Sequence, residues 1–184
     1  GPDRVWVASC DVRVYEQLAA LMGQVEEEWG SLDVVFANAG TSVTTSFTST
    51  DGAPPAEWSD MVLTNVLGVA QTIRATLPHL LERGTGHYLI TSSVAGRRAL
   101  PGSLYSATKW AATAIGEALR AELRQMHDNH AIRVTLIEPG MVDTPFFDNR
   151  PTGALEADDI ARAVIYALSQ PDHVDVNEVL VRPN

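Results

Sequence analysis

The sequence predicts a three-layer α/β fold, with a parallel sheet between two layers of helices, and three observations support this prediction. Apolar runs of strand length alternate along the chain with segments whose apolar residues recur at helical spacing. The runs are continuous, as expected for strands that are buried on both faces of a parallel sheet. Neither an internal repeat nor a change in composition divides residues 1–184, so we expect a single domain.

The alternation defines nine elements. The expected strands cover residues 4–8, 32–37, 87–92, 132–138 and 177–181. The expected helices cover residues 14–29, 57–83, 105–127 and 157–169. Pro78 predicts a kink or an early end in the second helix, because proline cannot donate the helical hydrogen bond. Strands separated by helices of this length are typical of right-handed βαβ units.

Composition and charge exclude several classes of protein. The chain is 45% hydrophobic and 20% charged, which is typical of a globular protein rather than a disordered one. Its 13 basic and 23 acidic residues give a net charge of −10, so a nucleic-acid partner is not expected. No signal peptide or membrane-spanning run is recognisable, which predicts a cytoplasmic protein. Cys10 is the only cysteine, and no metal site is predicted.

Polar residues gather where the expected strands end, and ligands bind at that edge of open α/β sheets. These residues are Asp11, Asn38 to Gly40, Ser92, Ser93 and Pro139 to Thr144. Asn65, Tyr105 and Lys109 add polar groups from two helices. Lys109 is the only lysine, since the other twelve basic residues are arginines.

Tyr105 and Lys109 lie four residues apart, so they share one face of a helix. A nearby ammonium lowers the pKa of a phenol, which could then exchange a proton with a substrate oxygen. Ser93 could donate a hydrogen bond to the same oxygen, and Asn65 could hold a water in a proton path. Structural alternatives exist: Ser93 and Tyr105 could act as caps, and Asn65 could satisfy backbone groups at a helix kink.

Taken in order, these motifs resemble those of the short-chain dehydrogenase/reductase family over nearly the whole chain. The motifs are Asn38-Ala39-Gly40, Asn65-Val66-Leu67-Gly68, Ser92-Ser93-Val94-Ala95-Gly96, Tyr105-x-x-x-Lys109 and Pro139-Gly140. The resemblance implies a Rossmann-like fold and a catalytic tetrad. In that tetrad Tyr105 is the acid/base, Lys109 modulates its pKa and contacts the cofactor ribose, Ser93 polarises the carbonyl and Asn65 anchors a proton relay.

The resemblance also implies a nicotinamide cofactor, NAD or NADP, and an NAD(P)-dependent interconversion of an alcohol and a ketone or aldehyde. Tyr105 and Lys109 would contact this cofactor. The other implied cofactor-binding residues are Asp11 by the adenine, Asn38, Ala39 and Gly40 by the adenosine ribose, and Pro139, Gly140, Val142 and Thr144 by the nicotinamide. A small-molecule substrate is implied, with residues 146–155 as the substrate loop and a weak preference for apolar or small substrates. The helices at 57–83 and 105–127 resemble a family dimer or tetramer interface, so a homodimer or homotetramer is expected.

The amino end departs from the family pattern. No Gly-x-x-x-Gly-x-Gly turn precedes Asp11, so we expect a fold that lacks its first two strands and binds the cofactor less well. The strand at 32–37 would then have an open edge. Residues 4–8, a second copy of the chain, or residues upstream of this sequence could cover it.

Two other functions stay open at this point. One is a cofactor-independent isomerase, lyase or cyclase that reuses Ser93, Tyr105 and Lys109. The other is a non-catalytic protein with the same fold. Survival of the whole tetrad favours the oxidoreductase.

Overall fold

A computed structural model describes residues 5–147, 149 and 151–184. Four parallel strands form one sheet in chain order: β1 (Val34–Ala37), β2 (Gly86–Thr91), β3 (Ile132–Pro139) and β4 (Glu178–Val181). The helices are α1 (Tyr15–Trp29), α2 (Pro55–Val62), α3 (Gly68–Arg83), α4 (Leu104–Met126) and α5 (Ala157–Leu168). A π-helical turn, Leu63–Leu67, joins α2 to α3, and a 3₁₀ turn, Val94–Gly96, follows β2.

Helices cover both faces of the sheet, which confirms the three-layer α/β prediction. On one face Tyr88 and Ile90 of β2 pack with residues of α3 and α4 such as Leu80 and Leu123. On the other face Leu89 and Ile137 pack against α5, where the buried residue is Ala167. Helix α1 packs beside α3, with Leu18, Met22 and Val25 against Ala75. None of the described helices is long and apolar enough to cross a membrane.

The register of the strands brings the loops that follow them together. Ala37 pairs with Ile90, Thr91 with Ile137, and Pro139 with Val181, so the carboxyl ends of all four strands lie along one edge. The hydroxyl of Thr91 donates to the side-chain oxygen of Asn38 over 2.8 Å, which joins the first two of these loops directly. This edge is where the candidate site forms.

The strand expected at residues 4–8 is wrong for the part that the structure describes, since residues 5–8 form no strand. Arg4 lies outside the described residues. Val5 and Val7 are 72% and 85% exposed, while Trp6 packs against the cluster that α1 forms with α3. Packing of the Trp6 indole, and not strand pairing, therefore holds residues 5–8 against the protein.

Strand β1 consequently has β2 on one side and no other strand among the described residues. Val34 and Phe36, on the face opposite α3, are 41% and 42% exposed. Pairing of residues 4–8 with this edge, the first way of covering it, is wrong for the described residues 5–8. Coverage by a second copy or by upstream residues stays a prediction.

Of the two outcomes expected at Pro78, the early helix end is wrong and the kink stays a prediction. Helix α3 continues to Arg83 and ends at Gly84, whose φ of 79° is left-handed and whose N–H donates to the Leu80 carbonyl over 2.9 Å. Leu77, Leu80 and Leu81 pack onto the core around the proline. This packing keeps the helix together despite the one backbone donor that proline lacks.

Candidate active site

Asn65 lies in the π-helical turn and is only 1% exposed. Its side-chain oxygen accepts from the Thr41 N–H over 2.8 Å, and its amide donates to the Thr41 carbonyl over 2.8 Å and to the Thr108 hydroxyl over 3.0 Å. The extra residue of a π turn is often found at functional sites, where it re-aims a side chain. Asn65 thereby ties the loop after β1 to helix α4, and the backbone groups that it satisfies are those of Thr41 in that loop.

Lys109 is buried in the first turns of α4, and its ammonium donates to the Thr91 carbonyl at the end of β2 over 2.9 Å. Its Nζ lies 5.7 Å from the centre of the Tyr105 ring. A Cβ atom at Gly40 would lie 3.3 Å from the Asn65 oxygen and 3.5 Å from this Nζ. The first distance is tighter than an ordinary contact and the second is ordinary, so the absence of a side chain at Gly40 lets the loop after β1 lie close against Asn65.

Of the two adjacent serines, Ser93 is the one whose side chain interacts with the Tyr105 phenol, while its hydroxyl donates to the Pro139 carbonyl over 3.3 Å. The Ser93 hydroxyl also accepts from the Ala95 N–H over 3.1 Å, which holds it at the start of the 3₁₀ turn. Ser92 points elsewhere: its hydroxyl bonds the Lys109 carbonyl over 3.0 Å and the Thr113 hydroxyl over 2.7 Å.

The turn that carries Ser93 lies directly on helix α4. A Cβ atom at Gly96 would lie 2.5 Å from the Ser92 hydroxyl oxygen and 2.8 Å from the Lys109 carbonyl oxygen. These distances leave no room for a side chain, so only glycine permits this approach. The turn and the helix that carries Tyr105 and Lys109 are held at a fixed separation.

Burial lowers the pKa of the Lys109 ammonium to about 8. Burial also raises the pKa of the Tyr105 phenol above its ordinary value, and the interaction with Ser93 only partly offsets this. The net pKa shift of Tyr105 is therefore upward, and a lowering contribution from Lys109 stays a prediction. The ammonium donates to the Thr91 carbonyl and not to the phenol, so desolvation of the phenol dominates. A phenol with a raised pKa keeps its proton at neutral pH.

A cavity of about 1020 Å³ opens beside these side chains. Eight of the residues expected to bind a cofactor line it: Asn38, Gly40, Tyr105, Lys109, Pro139, Gly140, Val142 and Thr144. Ser93 also lines it. Asn65 lies behind the wall formed by Gly40 and Lys109.

Two of the expected cofactor-binding residues do not line this cavity. Ala39 faces a smaller pocket between the loop after β1 and helix α1. The Asp11 carboxylate forms an ion pair with Arg13 at 2.7 Å, and Arg13 in turn pairs with Asp60 at 2.8 Å. The Arg13 hydrogen bonds lower the pKa of the Asp11 carboxyl to about 2. Asp11 therefore binds a neighbouring arginine in this structure.

The polar stretch after Gly40, which is rich in threonine and serine, contributes part of the cavity wall. Val43, Thr44 and Thr45 line the cavity. The Thr45 hydroxyl donates to the Gly102 carbonyl over 2.6 Å and accepts from the Leu104 N–H over 2.9 Å. The threonine and serine residues of this stretch show no helical or strand periodicity, so the contact of Thr45 with the start of α4 could not be predicted from the sequence.

An ion-pair cluster beneath the serine turn was also not predicted. The Arg97 side chain donates to the Glu138 carboxylate over 2.7 Å and also pairs with Glu178 of β4. Glu138 is 1% exposed, and burial raises the pKa of its carboxyl. Because Glu138 immediately precedes Pro139, this cluster links the serine turn to the end of β3.

The donor set fits the nicotinamide–ribose end of a dinucleotide. Of the three N–H groups of the Lys109 ammonium, one goes to Thr91. The others are available to ribose hydroxyls, together with the Tyr105 hydroxyl. Thr144 and the segment Pro139 to Val142 line the same wall.

The family assignment follows from comparison with known proteins. The model of the short chain dehydrogenases matches residues 2–154 of the chain. The chain therefore belongs to the short-chain dehydrogenase family and is an enzyme of that type. It is 38% identical over 181 residues to an uncharacterized oxidoreductase of Staphylococcus epidermidis, a match that covers 96% of this chain and 76% of that protein.

Solved structures give the same result. The fold is similar to that of serine dehydrogenase from Escherichia coli, with a TM-score of 0.85 and 30% identity over 98% of this chain and 77% of that one. It is also similar to an alcohol dehydrogenase from the archaeon Thermococcus sibiricus complexed with 5-hydroxy-NADP. That match has a TM-score of 0.81 and 31% identity and covers 95% of this chain and 72% of that one.

Proposed function

We propose that the protein interconverts an alcohol and a ketone or aldehyde with NAD or NADP, and that Tyr105 exchanges the proton. The observation that carries the proposal is the placement of the interacting Ser93 and Tyr105 side chains side by side in the wall of the large cavity. Lys109 stands behind this pair, 5.7 Å from the tyrosine ring. Solved relatives bind such cofactors, including the alcohol dehydrogenase complexed with 5-hydroxy-NADP.

The roles of the side chains follow from their chemistry. The Ser93 and Tyr105 hydroxyls would bind the carbonyl oxygen of the substrate, and Tyr105 would transfer its proton to that oxygen as negative charge develops there. Because burial raises the Tyr105 pKa, the phenol is in its proton-donating form at neutral pH. This favours carbonyl reduction near pH 7 and alcohol oxidation at higher pH. When bound, the nicotinamide supplies or accepts the hydride.

Lys109 and Asn65 would act at different distances from the reaction. The Lys109 ammonium would hold the cofactor ribose while its positive charge stabilises the phenolate that forms when Tyr105 loses its proton. Asn65 would act as a positioning residue, because both hydrogens of its amide already go to Thr41 and Thr108. The expected cytoplasmic location and homo-oligomeric state stay predictions.

The test is to measure NADH and NADPH binding by fluorescence, and ketone reduction by absorbance, for the native chain and Tyr105→Phe. We expect Tyr105→Phe to lose about 10²-fold or more in turnover, because it lacks only the acidic hydroxyl, and to keep measurable cofactor binding through Lys109. Tyr166→Phe is the matched control, since Tyr166 is 55% exposed on α5. Undiminished turnover in Tyr105→Phe would overturn the proposed role. Tyr105-dependent turnover without any cofactor would favour an isomerase, lyase or cyclase.

A further inference from the structure

The charge of the cavity wall limits what the site can bind. Among the described residues that line the cavity, Lys109 is the only one with a charged side chain. Its ammonium is buried and already donates to the Thr91 carbonyl. A substrate carboxylate or phosphate that entered this cavity would lose its hydration without gaining a dedicated cation from the described part of the wall, which is a costly transfer.

Large apolar side chains around the cavity have no protein partner over much of their surface. Leu100, Met141, Phe146 and Phe147 are 52%, 47%, 42% and 37% exposed, and all four line the cavity. An exposed apolar patch of this kind commonly marks a surface that an apolar ligand covers. The described part of the segment 146–155 thus contributes aromatic rings, while residues 148 and 150 lie outside the described residues.

The aromatic rings lie next to the reacting hydroxyl. The centre of the Phe146 ring is 6.0 Å from that of Tyr105, and the Phe147 ring packs edge-on against Phe146 with the ring centres 5.3 Å apart. A carbonyl oxygen held by Ser93 and Tyr105 would therefore place one substituent of its carbonyl carbon against Phe146. Aromatic and branched apolar groups gain most from such a neighbour.

We propose that the site takes an uncharged ketone, or the corresponding secondary alcohol, that carries an aromatic or bulky apolar group, and that Phe146 determines this specificity. The inference rests on the proposed function, because it uses Ser93 and Tyr105 to orient the substrate. It goes beyond that function by naming the substrate class and the side chain that selects it.

The test compares acetophenone with benzoylformate, which keeps the phenyl ketone and replaces the methyl group by a carboxylate. Binding to the native chain is measured by saturation-transfer NMR and calorimetry, with and without NADPH. We expect acetophenone to bind at least tenfold more tightly. Equal or tighter binding of benzoylformate, or no binding of either compound, would overturn the proposal.

Variants assign the selectivity to a residue. Phe146→Ala is expected to weaken acetophenone binding about tenfold, and Phe146→Leu to restore part of it, because an aliphatic side chain still covers the apolar substituent. Phe47→Ala is the matched control, since Phe47 lies in the loop after β1, contacts Trp58 and does not line the cavity. Unchanged binding in Phe146→Ala would remove Phe146 from the role.

The two proposals fail in different ways. Selective acetophenone binding without any reduction of it would leave the specificity inference standing and contradict the proposed oxidoreductase function. Reduction of acetophenone and benzoylformate with equal binding of the two would support the oxidoreductase function and contradict the specificity inference. Circular dichroism of each variant establishes that a lost signal does not come from unfolding.

Discussion

Asn65 and Thr41 form a pair of hydrogen bonds: the Thr41 N–H donates to the Asn65 side-chain oxygen, and the Asn65 side-chain amide donates to the Thr41 carbonyl, both over 2.8 Å. A carboxamide can do this because it carries a donor and an acceptor side by side, as the peptide group does. The chain after β1 has left the sheet at this point, and the amide takes the place of a neighbouring strand. Gly40, the residue before Thr41, lies close to the same Asn65 oxygen.

Asn65→Asp tests the bond with almost no change in size. A carboxylate cannot donate to the Thr41 carbonyl or the Thr108 hydroxyl, so two buried hydrogen bonds are lost. At ~1–3 kcal/mol for each buried group left unsatisfied, we expect a fall in Tm of at least about 4 °C, together with loss of turnover. Differential scanning calorimetry measures the first and ketone reduction the second. Gln24→Glu, the same amide-to-acid change on the exposed side of α1, should leave both unaltered.

Lys109→Met should stabilise the protein while it destroys activity. Burial holds the Lys109 pKa at about 8, against 10.5 for an exposed lysine, so the folded state binds this proton less well than the unfolded state. Stability from this group is therefore complete above pH 10.5, falls as the pH drops towards 8, and stays low at pH 7.

The neutral thioether of Lys109→Met removes the free-energy cost of burying a charged ammonium. It also removes the hydrogen bond from Lys109 to the Thr91 carbonyl. We expect a net gain of about 1–2 kcal/mol in the free energy of unfolding at pH 7. Urea titrations at pH 7 and pH 10.5 measure it, and the advantage of Lys109→Met should shrink at the higher pH. A variant less stable than the native chain at both pH values would contradict this account.

His87 should make the fold sensitive to acid. Its Nε2 meets the Thr135 hydroxyl at 2.7 Å, and that hydroxyl donates to the Val176 carbonyl, so Nε2 must carry the hydrogen. Protonation would then place a hydrogen on Nδ1, a buried atom without a hydrogen-bond partner among the described residues. Burial, with help from Arg133, lowers the His87 pKa to about 4.

Because the unfolded state takes up this proton near pH 6.5 and the folded state only near pH 4, the stabilisation is complete above pH 6.5 and is lost between those values. Urea unfolding midpoints from pH 7.5 to pH 4 measure the loss. His87→Gln should flatten the profile in this range, whereas His173→Gln, at an exposed position, should leave its slope intact.

Removal of Arg97 should destabilise the end of β3. Arg97→Met leaves the buried Glu138 carboxylate without the ion pair that it makes at 2.7 Å. Breaking a buried pair costs roughly 3–5 kcal/mol, and we expect about 2–4 kcal/mol because Arg97 is partly exposed. Arg98→Met, the same change at the adjacent exposed residue, is the control in urea unfolding. Glu138→Gln combined with Arg97→Met should recover most of the loss, and no recovery would point to packing instead of charge.

Much of the fold could be predicted because hydrophobic periodicity reports burial directly. The strands 87–92 and 132–138 and the helix 105–127 occur within one residue of their predicted bounds at either end. The strand predicted at 4–8 is wrong for the described residues, because a strand also needs a neighbouring strand to pair with. The composition of a segment does not show whether such a neighbour exists. Pro78 does not end its helix, because packing of the leucines around it outweighs the one hydrogen bond that proline cannot donate.

The site was predictable where it depends on local spacing, as for Tyr105 and Lys109, or on a motif, as for Ser93. It was not predictable where it depends on contacts between distant segments. The π turn at Asn65 is stabilised by its bonds to Thr41 and Thr108, and no residue pattern announces it. The direction of the Tyr105 pKa shift depends on whether burial of the phenol outweighs the groups that stabilise the phenolate. That balance is determined only when distant segments come together around the cavity.

Gly96 has a consequence for how the protein could be engineered. Because a larger residue at Gly96 would push the serine turn away from α4, which carries Tyr105, the serine turn, Gly96 and α4 form one closely packed unit. Libraries that aim at new substrates should therefore keep this unit intact and vary Val43, Leu100, Phe146 and Phe147 around it. Reshaping the pocket would then leave the chemistry untouched.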